Sequence, residues 1–105
     1  MSFPDGAVWV VVPTYDELEN LPSLLDKIWA SCPLATVLVV DDGSPDGTAE
    51  NVKRRKCTEP RLQLLTRSAK CGLGGAYVAG FRIALNAGAA VIVQMDALLS
   101  VPSKP

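Results

Sequence analysis

Four short apolar runs, each closed by polar or turn-forming residues and separated by helix-like stretches, constrain this chain more than any other feature. They are Ala7-Val8-Trp9-Val10-Val11-Val12, Thr36-Val37-Leu38-Val39-Val40, Arg61-Leu62-Gln63-Leu64-Leu65-Thr66 and Ala90-Val91-Ile92-Val93. Short, continuous and rich in β-branched residues, such runs read as strands buried on both faces. Pro13 is expected to stop the first. Leu18, Leu21, Leu24, Leu25, Ile28 and Trp29 then recur at helical spacing. The second run passes into Asp41-Asp42-Gly43, and Ser44-Pro45 with Thr48 offers N-cap and first-turn signals for a helix ending near Lys56. The third leads through Gly72-Leu73-Gly74-Gly75 into a helix expected to place Leu73, Tyr77, Phe81, Ala84 and Leu85 on one face and to stop at Gly88.

Alternating strands and helices with two-sided apolar strands imply an α/β fold, a parallel sheet covered on both faces by right-handed crossovers. The expected architecture is a Rossmann-like half-fold of four strands in the order 3-2-1-4. A length of 105 residues, 49% of them hydrophobic, suits one small domain with a real core and leaves no room for a second full lobe.

Charge and composition narrow the function classes. Ten basic and eleven acidic residues give a net charge of −1, so no global field holds nucleic acid by its phosphates. No apolar run reaches the length of a membrane span, and the N-terminus lacks the basic and apolar segments of a secretory signal. A cytoplasmic chain, or one peripheral to a membrane, is expected. Cys32, Cys57 and Cys71 form neither a CxxC pair nor a zinc pattern and read as buried or semi-buried free thiols. Histidine is absent, which removes Ser-His-Asp and Cys-His chemistry and leaves carboxylates, amides, Lys and Arg.

Ligands of open parallel sheets gather beyond the carboxyl ends of the strands. Here those ends carry Pro13-Thr14-Tyr15-Asp16-Glu17, Asp41-Asp42-Gly43-Ser44, Arg67-Ser68-Ala69-Lys70 and Asp96. Strand termination alone explains one such loop well and four less well. Two adjacent carboxylates, Asp41 and Asp42, can accept hydrogen bonds from a nucleobase and ribose, or can cap the following turn. The glycines at 72, 74 and 75 before a helix let backbone amides approach a diphosphate, with Arg67 and Lys70 adding positive charge. They match neither the dinucleotide fingerprint nor the Walker A pattern. Lys53-Arg54-Arg55-Lys56, at a helix C-terminus, reads as a solvated face rather than a lipid-binding patch, and Trp9, Trp29 and Phe81 read as core.

Four segments in order then carry a resemblance. Val11-Val12-Pro13-Thr14-Tyr15-Asp16-Glu17-Leu18-Glu19-Asn20-Leu21, Val39-Val40-Asp41-Asp42-Gly43-Ser44-Pro45-Asp46-Gly47-Thr48, Lys70-Cys71-Gly72-Leu73-Gly74, and Gln94-Met95-Asp96-Ala97 resemble the polyprenol (dolichol) phosphate mannose synthases. These are inverting family 2 glycosyltransferases with the GT-A fold. The likeness covers residues 7 to about 97 and implies the N-terminal nucleotide-binding half of that fold. It implies GDP-mannose as donor, a polyprenyl phosphate as acceptor, Mg²⁺ or Mn²⁺ as cofactor, and a place at the cytosolic face of a membrane. A membrane-anchoring subunit or self-association would be compatible with it. By the resemblance Pro13, Tyr15, Glu17, Asp41 and Asp42 belong to the nucleotide side of the site, and Arg67, Lys70 and Gly72 to the phosphates or sugar. Asp96, as first acid of an Asp-x-Asp metal motif, and Lys70 are the residues it places at the chemistry.

Three departures accompany the likeness. Asp16-Glu17 stands where the family has Asn-Glu. Asp96-Ala97-Leu98 stands where it has Asp-Ala-Asp, and leucine cannot ligate a hard cation. The acceptor half is not in the sequence, so residues 1–97 read as a partial donor-binding domain and 98–105 as a divergent tail. The alternative reading is therefore a catalytically inactive, truncated nucleotide-binding fragment of the family. A receiver-like signalling domain fits worse, because its acid pair would follow the first strand rather than the second.

Overall fold

The computed structural model describes residues 7–14, 19–41, 47–67 and 73–95, with backbone only at 73 and 74. Over these residues the elements alternate as β1 (Val8–Thr14), α1 (Leu21–Ser31), β2 (Thr36–Asp41), α2 (Thr48–Lys56), β3 (Leu62–Thr66), α3 (Leu73–Asn86) and β4 (Val91–Gln94). The strands form one parallel sheet in the order β3-β2-β1-β4, as the alternation implies.

Strand alternation splits the core into two layers. Val10, Val12, Val37, Val39 and Leu62 face α1 and α2, meeting Leu21, Leu24, Leu25, Ile28 and Val52. Trp9, Val11, Leu38 and Val40 face α3, meeting Ala76 and Ala84 with Tyr77 and Phe81 at the margin. The first two crossovers run from β1 outward to β3, and the third returns past β1 to β4. A constant hand therefore puts α3 on the opposite face from α1 and α2.

Several expectations shift. β1 does not stop at Pro13 but continues to Thr14. Val11 accepts from the Met95 N–H, so odd-numbered residues of β1 turn their backbone groups toward β4, and the described β1–β4 ladder ends at Val11↔Gln94. Pro13 lies past that end on the same side, where its missing N–H removes no bond from the described ladder. Leu85 is not on the buried face of α3 and is 62% exposed. The helix instead lays its small residues Ala76, Gly80 and Ala84 on the sheet. A Cβ at Gly80 would overlap Val11 Cγ1 and press on Val40 Cγ2 at 3.3 Å, so this close approach, rather than side-chain size, orients the helix.

At the start of α2 the N-cap is Gly47, with φ +87°, while the Ser44-Pro45 signal lies outside the described residues. In the basic run only Lys53, Arg54 and Lys56 are solvated. Arg55 is half-buried, its Nη2 bonded to Asp26 Oδ1 at 2.5 Å and its guanidinium 5.5 Å from the Trp29 ring centroid. Trp29 is half-buried rather than core, with Nε1 donating to the Ala35 carbonyl at 2.9 Å. Cys32 is semi-buried as expected, Cys57 is exposed, and Cys71 lies outside the described residues. Among the described residues no helix is long and apolar enough to cross a membrane.

Candidate functional site

The carboxyl ends of three neighbouring strands come level. Thr14 pairs in register with Asp41, and Asp41 with Thr66. Thr14 extends the β1 face that carries Val10 and Val12, and Asp41 extends the β2 face that carries Val37 and Val39. Their side chains consequently meet on one side of the sheet, where Thr14 Oγ1 donates to Asp41 Oδ1 at 2.8 Å. Both are deeply buried, at 4% and 1% exposure. The Arg67 N–H donates to the Asp41 carbonyl at 2.8 Å, joining the β3 exit to the same point. A charge-bearing residue buried this far needs such donors. With them it ties the three strand ends together, and Asp42 is the first residue past the tie.

Arg67 leaves β3 on the α3 side, after Leu65, which packs in the α3 layer. Its Nη1 is buried and its Nη2 lies 3.0 Å from where a Cβ of Gly75 would stand. Gly75 thus makes the space in which the guanidinium rests against the first turn of α3. Together with Val78, Ala79, Arg82 and Ile83 they line an open cleft of about 610 Å³, whose two arginines favour an anion. β4 ends beside β1, where the direction of the crossovers reverses, and such switch points are where open α/β sheets bind ligands.

Of the residues expected at the site, Pro13, Asp41 and Arg67 are described, and all three stand at this rim. Tyr15, Glu17, Asp42, Lys70, Gly72 and Asp96 lie outside the described residues, as does Leu98. Two participants escaped the sequence reading. Thr14 was one more polar residue of a loop; its signal is positional, a hydroxyl at the end of the strand beside the one ending in Asp41. Gly75 was read for phosphate approach, whereas it makes room for Arg67. Among the described residues no three His, Cys, Asp or Glu side chains come together, and beyond them Asp96 is followed at position 98 by leucine.

Comparison with known proteins agrees with this geometry. The family model described as Glycosyl transferase family 2 matches residues 9–99. An undecaprenyl-phosphate mannosyltransferase of Micrococcus luteus is 48% identical over 90 residues, covering 86% of this chain and 37% of that protein. A polyprenol monophosphomannose synthase of Mycolicibacterium smegmatis is 44% identical over 95 residues, covering 90% of this chain and 36% of that protein. The chain thus spans little more than a third of these curated relatives. Among solved structures, a Pyrobaculum calidifontis mannosyltransferase in complex with GDP-Man and Mn²⁺ superposes with a TM-score of 0.75 at 32% identity, over 90% of this chain and 29% of that one. TarS of S. aureus shares the fold, with a TM-score of 0.64 at 23% identity over 86% of this chain and 27% of its own.

Proposed function

Because the chain belongs to glycosyl transferase family 2, we propose that its strand-end rim is the donor site of a mannosyltransferase that moves mannose from GDP-mannose to a polyprenyl phosphate with inversion. The sheet is the Rossmann-like nucleotide-binding half of a GT-A fold. The observation that carries the functional reading is the level rim, in which Thr14, Asp41 and Arg67 lock three strand ends beside the switch point. A rim so fixed holds the strand ends from which the predicted contacts depart.

In this reading Pro13, Tyr15, Glu17 and Asp42 contact the guanosine, and Asp41 braces them from within the sheet. Arg67, Lys70 and Gly72 serve the diphosphate or sugar, and Asp96 lies nearest the transferred group. A phosphate oxygen of the acceptor attacks C1 of mannose from the face opposite GDP. The new C1–O bond forms as the bond to the β-phosphate breaks, and GDP leaves with the electron pair. The acceptor is already anionic, so no general base is required, which suits a chain without histidine. Charge accumulating on GDP is met by Lys70 and Arg67. In the Pyrobaculum relative Mn²⁺ accompanies the nucleotide sugar; with Leu98 the donors here do not suit such an ion, and no step above depends on one. A polyprenyl acceptor places the reaction at a membrane surface.

Transfer is tested by joining this chain to the remaining C-terminal part of the Micrococcus relative and supplying radiolabelled GDP-mannose with a short polyprenyl phosphate in detergent. Labelled lipid, lost on Asp42→Ala, is expected. No product from the chimera, under conditions where the intact relative is active, would overturn the proposal. Leu98 favours the second reading, a nucleotide-binding chain that does not catalyse; product only after Leu98→Asp would assign the chain to it.

A further inference from the structure

Glycine is the poorest helix former after proline, and α3 carries one at 75 and another at 80. The close approach of the helix to Val11 and Val40 accounts for Gly80. Gly75 meets no part of the core. Beyond its own stretch of helix, the three atoms nearest to where its Cβ would stand all belong to Arg67: Nη2 at 3.0 Å, Nη1 at 3.4 Å and Cζ at 3.6 Å. Cζ lies farther off than both terminal nitrogens, so the guanidinium turns its Nη1–Nη2 edge, not its face, toward the first turn of α3. Gly75 therefore stands at the tip of the arginine arm, and a side chain there would push the guanidinium back along its own length.

We infer that Gly75 is a positioning residue of the donor site, which by lacking a side chain sets the reach of Arg67 and so the place where its charge meets the diphosphate. The inference rests on the donor reading and deepens it. Arg67 is fixed at both ends. Its N–H donates to the Asp41 carbonyl at 2.8 Å, which ties the residue to the rim, and its half-buried guanidinium is seated against Gly75. A long side chain held this way loses little further rotamer freedom when an anion arrives. Because α3 leads from the carboxyl end of β3 back to the start of β4, parallel to it in the same sheet, its first turn lies at the rim, and the guanidinium with it. The other role a glycine could have here, letting its own backbone come close to the phosphates, differs in one respect: it does not need Arg67.

The test is a double-mutant cycle read by calorimetric titration of the full chain with GDP, comparing the parent, Gly75→Ala, Gly75→Leu, Arg67→Ala and the two combinations. GDP affinity is expected to fall in Gly75→Ala, and by at least about tenfold in Gly75→Leu, the worth of one charge-assisted hydrogen bond. In the Arg67→Ala background neither glycine substitution should weaken GDP further. An equal loss in both backgrounds would overturn the proposal, because Gly75 would then act without Arg67, and undiminished affinity in Gly75→Leu would overturn it as well. A parent that binds no GDP would overturn the donor reading and the role of Gly75 with it, so the two failures are told apart. Thermal unfolding adds a check that needs no nucleotide. The obstacle is the end of a flexible side chain, and alanine suits a helix better than glycine, so Gly75→Ala should be at least as stable as the parent. A clearly lower Tm would mean that position 75 is closed by something stiffer than the arginine arm, and would overturn the proposal even if Gly75→Leu failed to fold.

Discussion

At the end of β2 a carboxylate 1% exposed meets a threonine hydroxyl instead of solvent. A hydrogen bond to a charged group contributes about 1.5–3 kcal/mol, so Thr14→Val should lower the unfolding free energy by about that much while Thr14→Ser loses less. Urea titration with an unchanged m-value measures it, and equal stability of Thr14→Val and the parent would show that Asp41 does not depend on this donor. Gly80 gives a second residue-scale test. Alanine is a better helix former by about 1 kcal/mol, but its methyl would enter Val11, and overpacking costs about 1–3 kcal/mol. Gly80→Ala should therefore destabilise in the same assay, and a stabilised protein would contradict the close approach of α3. Neither effect is visible in local sequence. The Thr14–Asp41 bond joins residues 27 apart, and Gly80 is distinguished only by what lies beneath it.

Element existence and strand order were legible because β-branched runs and helical periodicity are local signals that one parallel topology satisfies together. What escaped depends on a partner element. Pro13 is tolerated because of which neighbour its backbone faces, and Leu85 is exposed because α3 turns its glycine and alanines inward. Arg55 leaves the solvated set because Trp29 and Asp26 of α1 stand opposite it. That contact is partly wet, with the Asp26 side chain 70% exposed, so Arg55→Ala should cost no more than about 1 kcal/mol. Gly47 is the contrasting case at the other end of α2. Its φ of +87° has open space around it, so Gly47→Ala suffers from backbone conformation alone, about 1–2 kcal/mol. Thermal unfolding of the two variants should rank Gly47→Ala as the less stable, and the opposite order would mean that α2 is held by its C-terminal contacts rather than its start.

Across the whole molecule, the sheet brings the carboxyl ends of β1, β2 and β3 to one rim, and the strand order agrees with the sequence reading. The remaining predicted site residues lie outside the described residues, and sequence resemblance is the support for their roles. In the proposed reading, leucine at position 98 leaves Asp96 without a second metal-binding acid. Adding Mn²⁺ should change GDP affinity little in the parent and clearly in Leu98→Asp, and a strong Mn²⁺ effect on the parent would mean that other ligands complete a site. The central claim, that the rim recognises a guanosine diphosphate, is tested most directly by calorimetric titration of the folded chain with GDP, UDP and NAD. The account predicts that GDP binds at least about tenfold more tightly than either rival, about 1.4 kcal/mol, and that Asp42→Ala abolishes the difference; equal affinities, or no binding by a chain whose circular dichroism shows it folded, would contradict it.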